Sequence, residues 1–185
     1  MFLSHVSIEK AIEEGTIKIT PDFDKKSIRP VGVRIHLAKD ILVPEPNQTV
    51  SISEPSDIKY KEIDLEKEEF YLEPGMFILG ATYESVETDG SILPILDGRS
   101  TVARLGITTH ITAAIVDGAL GAPNRVVLEI KNVGNFRIRL KHKDPIAMMC
   151  FTQLTESVVQ KPQAQYAAQQ KVMPPNLNYK TGKES

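Results

Sequence analysis

The feature that most constrains the fold of this chain is its series of short apolar segments, each ended by Pro, Gly, Asn or Asp. Segments of about 4–8 residues bounded by turn residues are typical of β-strands. The predicted strands cover residues 16–19, 31–37, 48–52, 69–72, 76–83, 92–96, 111–115, 125–131, 136–140 and 146–152. Because strands and long helices do not alternate, we predict a mainly β domain, a barrel or jelly roll.

A single short helix is predicted before these strands, at about residues 4–14. Ser4 suits the N-cap, Ile8 and Ala11 lie at helical spacing, and Gly15 suits the end of the helix. The chain has 185 residues, of which 41% are hydrophobic, a size and composition that fit one globular domain. We place this domain at residues 1–155.

The composition changes at about Glu156, after which glutamine, proline and lysine dominate. Such a segment cannot build a hydrophobic core of its own. Residues 156–185 are therefore interpreted as a flexible C-terminal tail, either a disordered end or a lid that becomes ordered over a ligand. Composition alone favours the disordered end.

Charge and composition exclude several classes of protein. The 22 Lys and Arg residues against 24 Asp and Glu give a formal net charge of −2, so a generally basic nucleic-acid binder is not expected. No apolar run approaches the roughly 20 residues that span a membrane. The single cysteine, Cys150, excludes an internal disulfide, and the N-terminal residues lack the features of a secretory signal. We therefore expect a cytoplasmic protein without a membrane or nucleic-acid partner.

The charge-rich stretch 54–73 is interpreted as a solvated loop or an exposed edge hairpin. The histidines do not have the spacing of metal ligands, so no metal site built by the protein is predicted. The histidines are His5, His36, His110 and His142.

The residues 97–106 form the most informative window. They combine glycine, two hydroxyl side chains and two arginines directly after an apolar strand. Hydroxyls and planar guanidinium groups match the oxygens of phosphate, although the Lys and the spacing of a P-loop are missing. If this window forms a helical turn, Ser100 and Arg104 lie on one face at positions i and i+4. They would then act on the same bound group.

Two carboxylates are further candidates. In residues 125–131, Val126, Leu128 and Ile130 share one face of a strand and Glu129 takes the other. Glu129 is either an ordinary exposed residue of a two-faced strand or a general base in a polar cavity. Asp117 is either a residue that begins a turn or a functional group, an acceptor for a sugar hydroxyl or a second carboxylate of the site.

Several motifs of the chain resemble one family. Residues 98–106, GRSTVARLG, are similar to the G-R-S-S-L-A-R-L-G signature of the metal-free dCTP deaminases of the trimeric dUTPase superfamily. Residues 110–113, HITA, resemble the H-x-T-A strand of that family, and residues 127–130, VLEI, resemble its T-L-E-L strand. Residues 3–17 are similar to its N-terminal helix and strand, and residues 164–170 to its mobile C-terminal segment. The resemblance implies a dUTPase-like β fold.

The resemblance also implies roles for individual residues. Glu129 would be the general base and proton shuttle, and Arg104 would support the charge around the attacking water. Ser100 and the carbonyl group of Ala113 would position that water, while Arg99, Ser100 and Thr101 would hold the triphosphate. The other implied nucleotide contacts are Thr112, Asp117, Tyr166, Gln169 and Gln170.

The implied enzyme is a homotrimer with sites between subunits, and Mg²⁺ arrives with the nucleotide rather than as a cofactor bound by the protein. Its reaction replaces the amino group at C4 of cytosine, which requires a base and then an acid, and one carboxylate serves as both in turn. Zinc deaminases use a His and Cys ligand set instead. The single cysteine of this chain excludes that route.

The chain departs from the family pattern at three places. Residues 30–37 read PVGVRIHL where the family has P-A-S-x-D-x-R-L, so Arg34 replaces an acid. The turn 117–124, DGALGAPN, replaces D-P-G-[FW]-x-G and has two more residues before Glu129. Met148 stands where a glutamine is expected, and HKD at 142–144 replaces P-G-M. These changes alter the rim of the implied pocket and keep its water-activating residues.

Three functions follow from these observations. The leading one is deamination of dCTP to dUTP and ammonia. The second is dUTP diphosphatase activity, alone or added to deamination, with Asp117 helping to activate water and dUMP as the product. The third is a homologue that binds the nucleotide without turnover, because of the changes at Arg34, Met148 and the Asp117 turn.

Overall fold

The computed structural model of the chain describes residues 1–21, 23–52, 56–159 and 166–177. Strands dominate these residues, and short 3-10 turns occur at Lys25–Ser27 and Asp117–Ala119. In chain order the elements are α1 (His5–Glu13), β1 (Ile17–Thr20), β2 (Ile28–Arg29), β3 (Gly32–His36), β4 (Asp40–Pro44), β5 (Tyr60–Asp64), β6 (Phe70–Leu72), β7 (Phe77–Ala81), β8 (Ser85–Thr88), β9 (Ile92–Gly98), α2 (Ser100–Ala103), β10 (Ile107–Thr108), β11 (Val127–Asn132), β12 (Ile138–Leu140) and β13 (Pro145–Gln153).

The strands form antiparallel sheets. One sheet has the order β2-β3-β13-β9, and a larger one has the order β10-β11-β7-β4-β5. Strands β1 and β8 pair with each other, as do β6 and β12. Antiparallel pairing suits short strands because tight turns can join them without crossover helices.

One hydrophobic core joins all of these sheets and helix α1. Each strand contributes the face that its period-2 pattern makes apolar. Full burial of one such aliphatic or aromatic side chain contributes about 1.5–3 kcal/mol to stability. The largest fully buried side chains are Phe151, Ile8, Ile17, Ile35, Leu37, Ile41, Leu72, Ile78, Leu96, Leu128, Ile130 and Met149. The predicted fold class, mainly β with a short N-terminal helix, is confirmed.

Helix α1 lies where the sequence predicts it. It begins at His5 after an extended Ser4 and ends at Glu13, and Gly15 follows with a φ of 78°. A positive φ favours glycine because it has no Cβ to clash with the backbone. The expected cap is wrong in one respect, since the Ser4 side chain makes no capping hydrogen bond. Ile8 and Ala11 are buried, so the helix packs its apolar stripe on the core.

Two predicted strands are wrong. Residues 48–52 form no strand, because the Gln48 side chain takes hydrogen bonds with the backbone of Glu45 and Lys59 at 2.7–2.9 Å and closes a loop. Residues 111–115 form no strand either, since they meet the sheet through one isolated bridge between Ile95 and Ile115. In both segments the apolar side chains lack a core to pack on.

The charge-rich stretch contains a strand at the edge of the larger sheet. Strand β5 pairs with β4 alone in the described part of the sheet, which agrees with an exposed edge hairpin. Glu54, at the start of this stretch, lies outside the described residues. The sequence pattern does not predict strands β4 and β8. Each has a short apolar centre between polar residues, so its apolar run is too short to be recognised as a strand.

Part of the C-terminal tail lies on the domain. The described residues 166–177 include Gln169 and Val172, both buried at 7% exposure. The prediction for residues 160–165 and 178–185 concerns residues outside those that the structure describes. No helix in the described ranges is long and apolar enough to cross a bilayer.

Candidate active site

A cavity of about 380 Å³ lies between the outer face of β11, the segment 113–118 and the described part of the tail. Apolar side chains form much of its wall, and a few polar groups converge on it. Such a composition is typical of sites that bind small organic molecules. The apolar residues of the wall include Phe77, Leu79, Ile115, Val126 and Val127, and the polar ones include Tyr60, Asp117, Asn124, Glu129, Tyr166 and Gln169.

Glu129 projects from β11 into this cavity. Its strand neighbours Leu128 and Ile130 are fully buried, so the alternation of a strand turns Glu129 to the opposite face, as predicted. The backbone N–H of Ile111 donates to Oε2 of Glu129 at 3.2 Å. This contact holds a carboxylate at the cavity wall, where it can accept and return a proton.

The segment that donates this hydrogen bond supplies other candidates. Ala113 and Asp117 line the same cavity as Glu129. Asp117 begins the 3-10 turn Asp117–Ala119, and its carbonyl accepts from the backbone N–H of Leu120 at 3.1 Å. The turn interpretation of Asp117 is therefore correct, and its exposed carboxylate also reaches the cavity. Thr112 is exposed beside the cavity and is not part of its lining.

The tail closes one side of the cavity. Tyr166 and Gln169 are in the lining. The backbone N–H of Gln169 donates to Oδ1 of Asn124 at 2.7 Å, and its carbonyl accepts from the N–H of Arg125 at 2.8 Å. Gln170 lies outside the lining, and its side chain donates to the carbonyl of Pro123 at 3.2 Å. Backbone and side-chain contacts together hold this part of the tail on the segment 123–125.

The residues of the phosphate-like window lie elsewhere on the chain. Ser100–Ala103 form a helical turn, the condition under which Ser100 and Arg104 share one face, and the backbone N–H of Arg104 donates to the carbonyl of Ser100 at 3.1 Å. Ser100, Thr101 and Arg104 are exposed to solvent. None of these three residues, nor Arg99, lines the cavity of the described chain. One copy of the chain therefore presents two separate groups of candidate residues.

Arg99 is partly covered, unlike Ser100, Thr101 and Arg104. Its Nη1 donates to the carbonyl of Pro145 at the start of β13. Burial lowers the pKa of the Arg99 guanidinium, and the charges of Arg34 and Arg29 lower it further. Arg99 thus lies in a cluster of cationic side chains with Arg34 of β3 and Arg29 of β2, whose mutual repulsion is unfavourable.

Sequence reasoning missed Asn124 and Tyr60 as cavity residues. Asn124 is 5% exposed and bonds a tail segment 45 positions away, so no local pattern points to it. Tyr60 belongs to the charge-rich edge strand, and burial raises the pKa of its phenol. The signal that could have indicated a covered side chain at this position is a tyrosine, Tyr60, inside a run of charged residues. No cluster of three or more His, Cys, Asp or Glu residues suited to a metal ion occurs among the described residues.

Comparisons with known proteins agree on one family. Residues 2–154 match the family model described as dCTP deaminase-like. The chain is 34% identical over 158 residues to a protein of Tropheryma whipplei named "dCTP deaminase, dUMP-forming", with 84% of this chain and 79% of that protein covered. It is 32% identical over 169 residues to the "dCTP deaminase" of Shewanella oneidensis, with 85% and 86% covered.

A solved structure shares the fold. The crystal structure of 2'-deoxycytidine 5'-triphosphate deaminase from Agrobacterium tumefaciens superposes with a TM-score of 0.62 at 17% identity. The match covers 81% of this chain and 47% of that chain, so this chain spans about half its length. At this identity the likeness concerns the arrangement of strands.

Proposed function

The chain belongs to the dCTP deaminase-like family, and from this premise we propose that it hydrolyses dCTP to dUTP and ammonia. The observation that carries the proposal is the position of Glu129, whose carboxylate lines a largely apolar cavity beside Ala113 and is held by the Ile111 N–H. A cavity of about 380 Å³ suits a group of the size of a nucleoside.

The proposed reaction uses one carboxylate as base and as acid in turn. Glu129 removes a proton from water as the water oxygen bonds to C4 of cytosine, and it delivers that proton to ring N3. Glu129 then takes the proton of the new C4 hydroxyl and passes it to the amino nitrogen. The C4–N bond breaks, ammonia leaves and C4 becomes the carbonyl carbon of uracil. Water supplies the oxygen and both protons, so no redox partner is needed.

The remaining roles come from the family resemblance. Ser100 and the Ala113 carbonyl position the water, Arg104 supports its charge, and Arg99, Ser100 and Thr101 bind the triphosphate of the Mg²⁺-bound nucleotide. The residues assigned to contact the nucleoside are Thr112, Asp117, Tyr166, Gln169 and Gln170. The described tail, residues 166–177, then acts as the lid of the site.

We propose a homotrimer because one copy of the chain does not bring these groups together. Ser100 and Arg104 are exposed on the α2 turn, away from the cavity that Glu129 lines. Docking of that turn of one subunit on the cavity of its neighbour would complete the site. Exposed apolar side chains next to the two groups, Leu105 at 43% and Ile115 at 59%, suit such a contact. A nucleotide substrate and a lone thiol suit the cytoplasm.

A second candidate is formation of dUMP by added diphosphatase activity. It is favoured by the name of the Tropheryma whipplei relative and by the position of Asp117 in the same cavity as Glu129. A second carboxylate near the nucleotide would activate a water for attack at a phosphorus atom. Pyrophosphate would then leave with the deaminated nucleotide.

One incubation distinguishes these functions. Purified protein is incubated with dCTP, dUTP, dCMP or CTP in Mg²⁺, and the nucleotides, ammonia and pyrophosphate are quantified. We expect dCTP to yield equal amounts of dUTP and ammonia. Formation of dUMP with pyrophosphate would assign the second candidate. Thermal stabilisation by dCTP without any product would overturn both and indicate a nucleotide-binding homologue.

A further inference from the structure

Three arginines form a cluster on one face of the β2-β3-β13-β9 sheet. Arg29 and Arg34 project from β2 and β3 on the same side, because Arg29 pairs with Gly32 and side chains alternate from there to Arg34. Arg99 reaches the same region through its hydrogen bond to the Pro145 carbonyl, since Pro145 lies opposite His36 in the register of β3. The cluster thus brings together side chains that are far apart in the sequence.

No carboxylate neutralises this cluster within the described part of the chain. Arg29, Arg34 and Arg99 form no ion pair there, and Nε of Arg34 is buried without a hydrogen-bond partner. The mutual repulsion lowers the pKa of Arg99 beyond the effect of its burial. Buried donors are normally satisfied, so the Nε–H of Arg34 lacks the acceptor that such a group usually has.

The space beside Arg34 is open. Arg34 lines a cavity of about 460 Å³ together with Lys26, Ser27 and Lys143. Two acids also line it, but Glu84 accepts from the backbone N–H and Nδ1 of His36, and Asp24 accepts from the N–H of Lys26. The groups left to meet a ligand are therefore mainly cationic or hydroxyl.

We propose that Arg34 and Arg29 extend the phosphate site of Arg99 and bind the terminal phosphates of the nucleotide's polyphosphate chain. This inference rests on the proposed function, because it deepens the triphosphate role given to Arg99. Arg34 stands where the resembled family has an acid, so this position carries the opposite charge. Met148 lies opposite Arg34 in the strand register, which places the two departures from the family side by side.

Guanidinium groups suit this role since each presents several donors in a plane that matches phosphate oxygens. An anion between the three arginines would replace their repulsion by attraction. The bound polyphosphate should therefore stabilise the fold, and its affinity should fall steeply with salt.

The test uses inorganic tripolyphosphate in the presence of EDTA. Because EDTA removes divalent metal ions, the cationic side chains of the protein are then the groups that bind the anion. Binding is measured by calorimetry and by the rise in melting temperature for the full chain and for Arg34→Gln, Arg29→Gln and Arg139→Gln. Arg139 is the matched control, because it lies on β12, outside the cluster, and forms an ion pair with Glu69. We expect Arg34→Gln and Arg29→Gln each to weaken binding roughly tenfold, as loss of one charge-assisted contact predicts, and Arg139→Gln to leave it unchanged.

Unchanged affinity in both cluster variants, or no tripolyphosphate binding by the unaltered protein, would overturn the inference. Arg29 is exposed, so Arg29→Gln keeps the test decisive if Arg34→Gln does not fold. A separate assay of dCTP turnover by the unaltered chain distinguishes failure of this inference from failure of the proposed function. If the unaltered chain deaminates dCTP and Arg34→Gln leaves the KM for dCTP unchanged, only the inference fails. If tripolyphosphate binding depends on the arginines but dCTP is not deaminated, only the proposed activity fails.

Discussion

The backbone N–H of Ile111 donates to Oε2 of Glu129 and ties the 111–116 segment to strand β11 at the wall of the cavity. The segment itself is not a strand, so this contact and the isolated Ile95–Ile115 bridge position Ala113 beside the carboxylate. Oε1 of Glu129 has no hydrogen-bond partner among the described residues, which leaves it able to bind a water.

Replacement of Glu129 by glutamine should remove the base and keep the shape of the cavity. We expect the turnover of dCTP to fall by roughly 10²–10⁴-fold, the range for loss of a general base. The dissociation constant of dCTP should change little. Single-turnover kinetics with a separate binding measurement checks this, with Glu62→Gln on the exposed edge strand as the control. Turnover near that of the unaltered protein would show that another group activates the water.

Loss of the Asn124 side chain should loosen the tail. Oδ1 of Asn124 accepts from the buried N–H of Gln169, and Asn124→Ala leaves that donor without its partner at a cost of about 1–3 kcal/mol. Denaturant unfolding and the rate of proteolysis within residues 166–177 measure the effect. Gln170→Ala removes a solvent-exposed contact to Pro123 and is the milder control. Equal stability of the two variants would argue against an anchoring role for Asn124.

Gly106 and Gly75 form a matched pair for testing the packing behind the α2 turn. Both have a positive φ, at 82° and 80°, so alanine costs about 1–2 kcal/mol of backbone strain at either position. At Gly106 the added Cβ would also lie 2.5 Å from Cα and N of Gly134, whereas at Gly75 it meets no atom within 4 Å.

Gly106→Ala should therefore destabilise the protein by about 2–5 kcal/mol in total. Gly75→Ala should destabilise it only by the backbone strain of about 1–2 kcal/mol. Urea unfolding of both variants measures the difference. Similar midpoints would mean that the contact between Gly106 and Gly134 does not support the turn.

The thiol of Cys150 should titrate above its ordinary range. Burial raises its pKa, and the negative charge of Asp97 adds to the effect. The thiol is therefore protonated in the fold at pH values where it is half ionised in the unfolded chain. The pH midpoint of alkylation by iodoacetamide should be higher for the folded than for the urea-unfolded protein, and Asp97→Asn should lower it. A folded midpoint at or below the unfolded one contradicts this environment.

Local sequence patterns predict the elements whose conformation depends on residues a few positions away in the chain. Alternation in residues 126–130 placed Glu129 opposite the buried side chains, and helical spacing located α1. These features depend on neighbours within a few positions, so periodicity alone determines them.

Features that depend on distant contacts could not be predicted in this way. Residues 111–115 are apolar enough for a strand, but whether a neighbouring strand is available depends on the whole sheet. The bond between Asn124 and Gln169, and the approach of Arg99 to Arg34, join positions 45 or more apart. Such contacts follow from the tertiary arrangement of the antiparallel sheets rather than from local propensity.

The most direct test of the proposed site is subunit mixing. Glu129→Gln and Ser100→Ala variants, each inactive alone, are unfolded together in equal amounts and refolded, and dCTP deamination is measured. If Glu129 of one subunit and Ser100 of another serve the same substrate, random assembly should restore roughly a quarter of the unaltered activity. Activity that stays at the level of the separate variants would contradict a site shared between subunits.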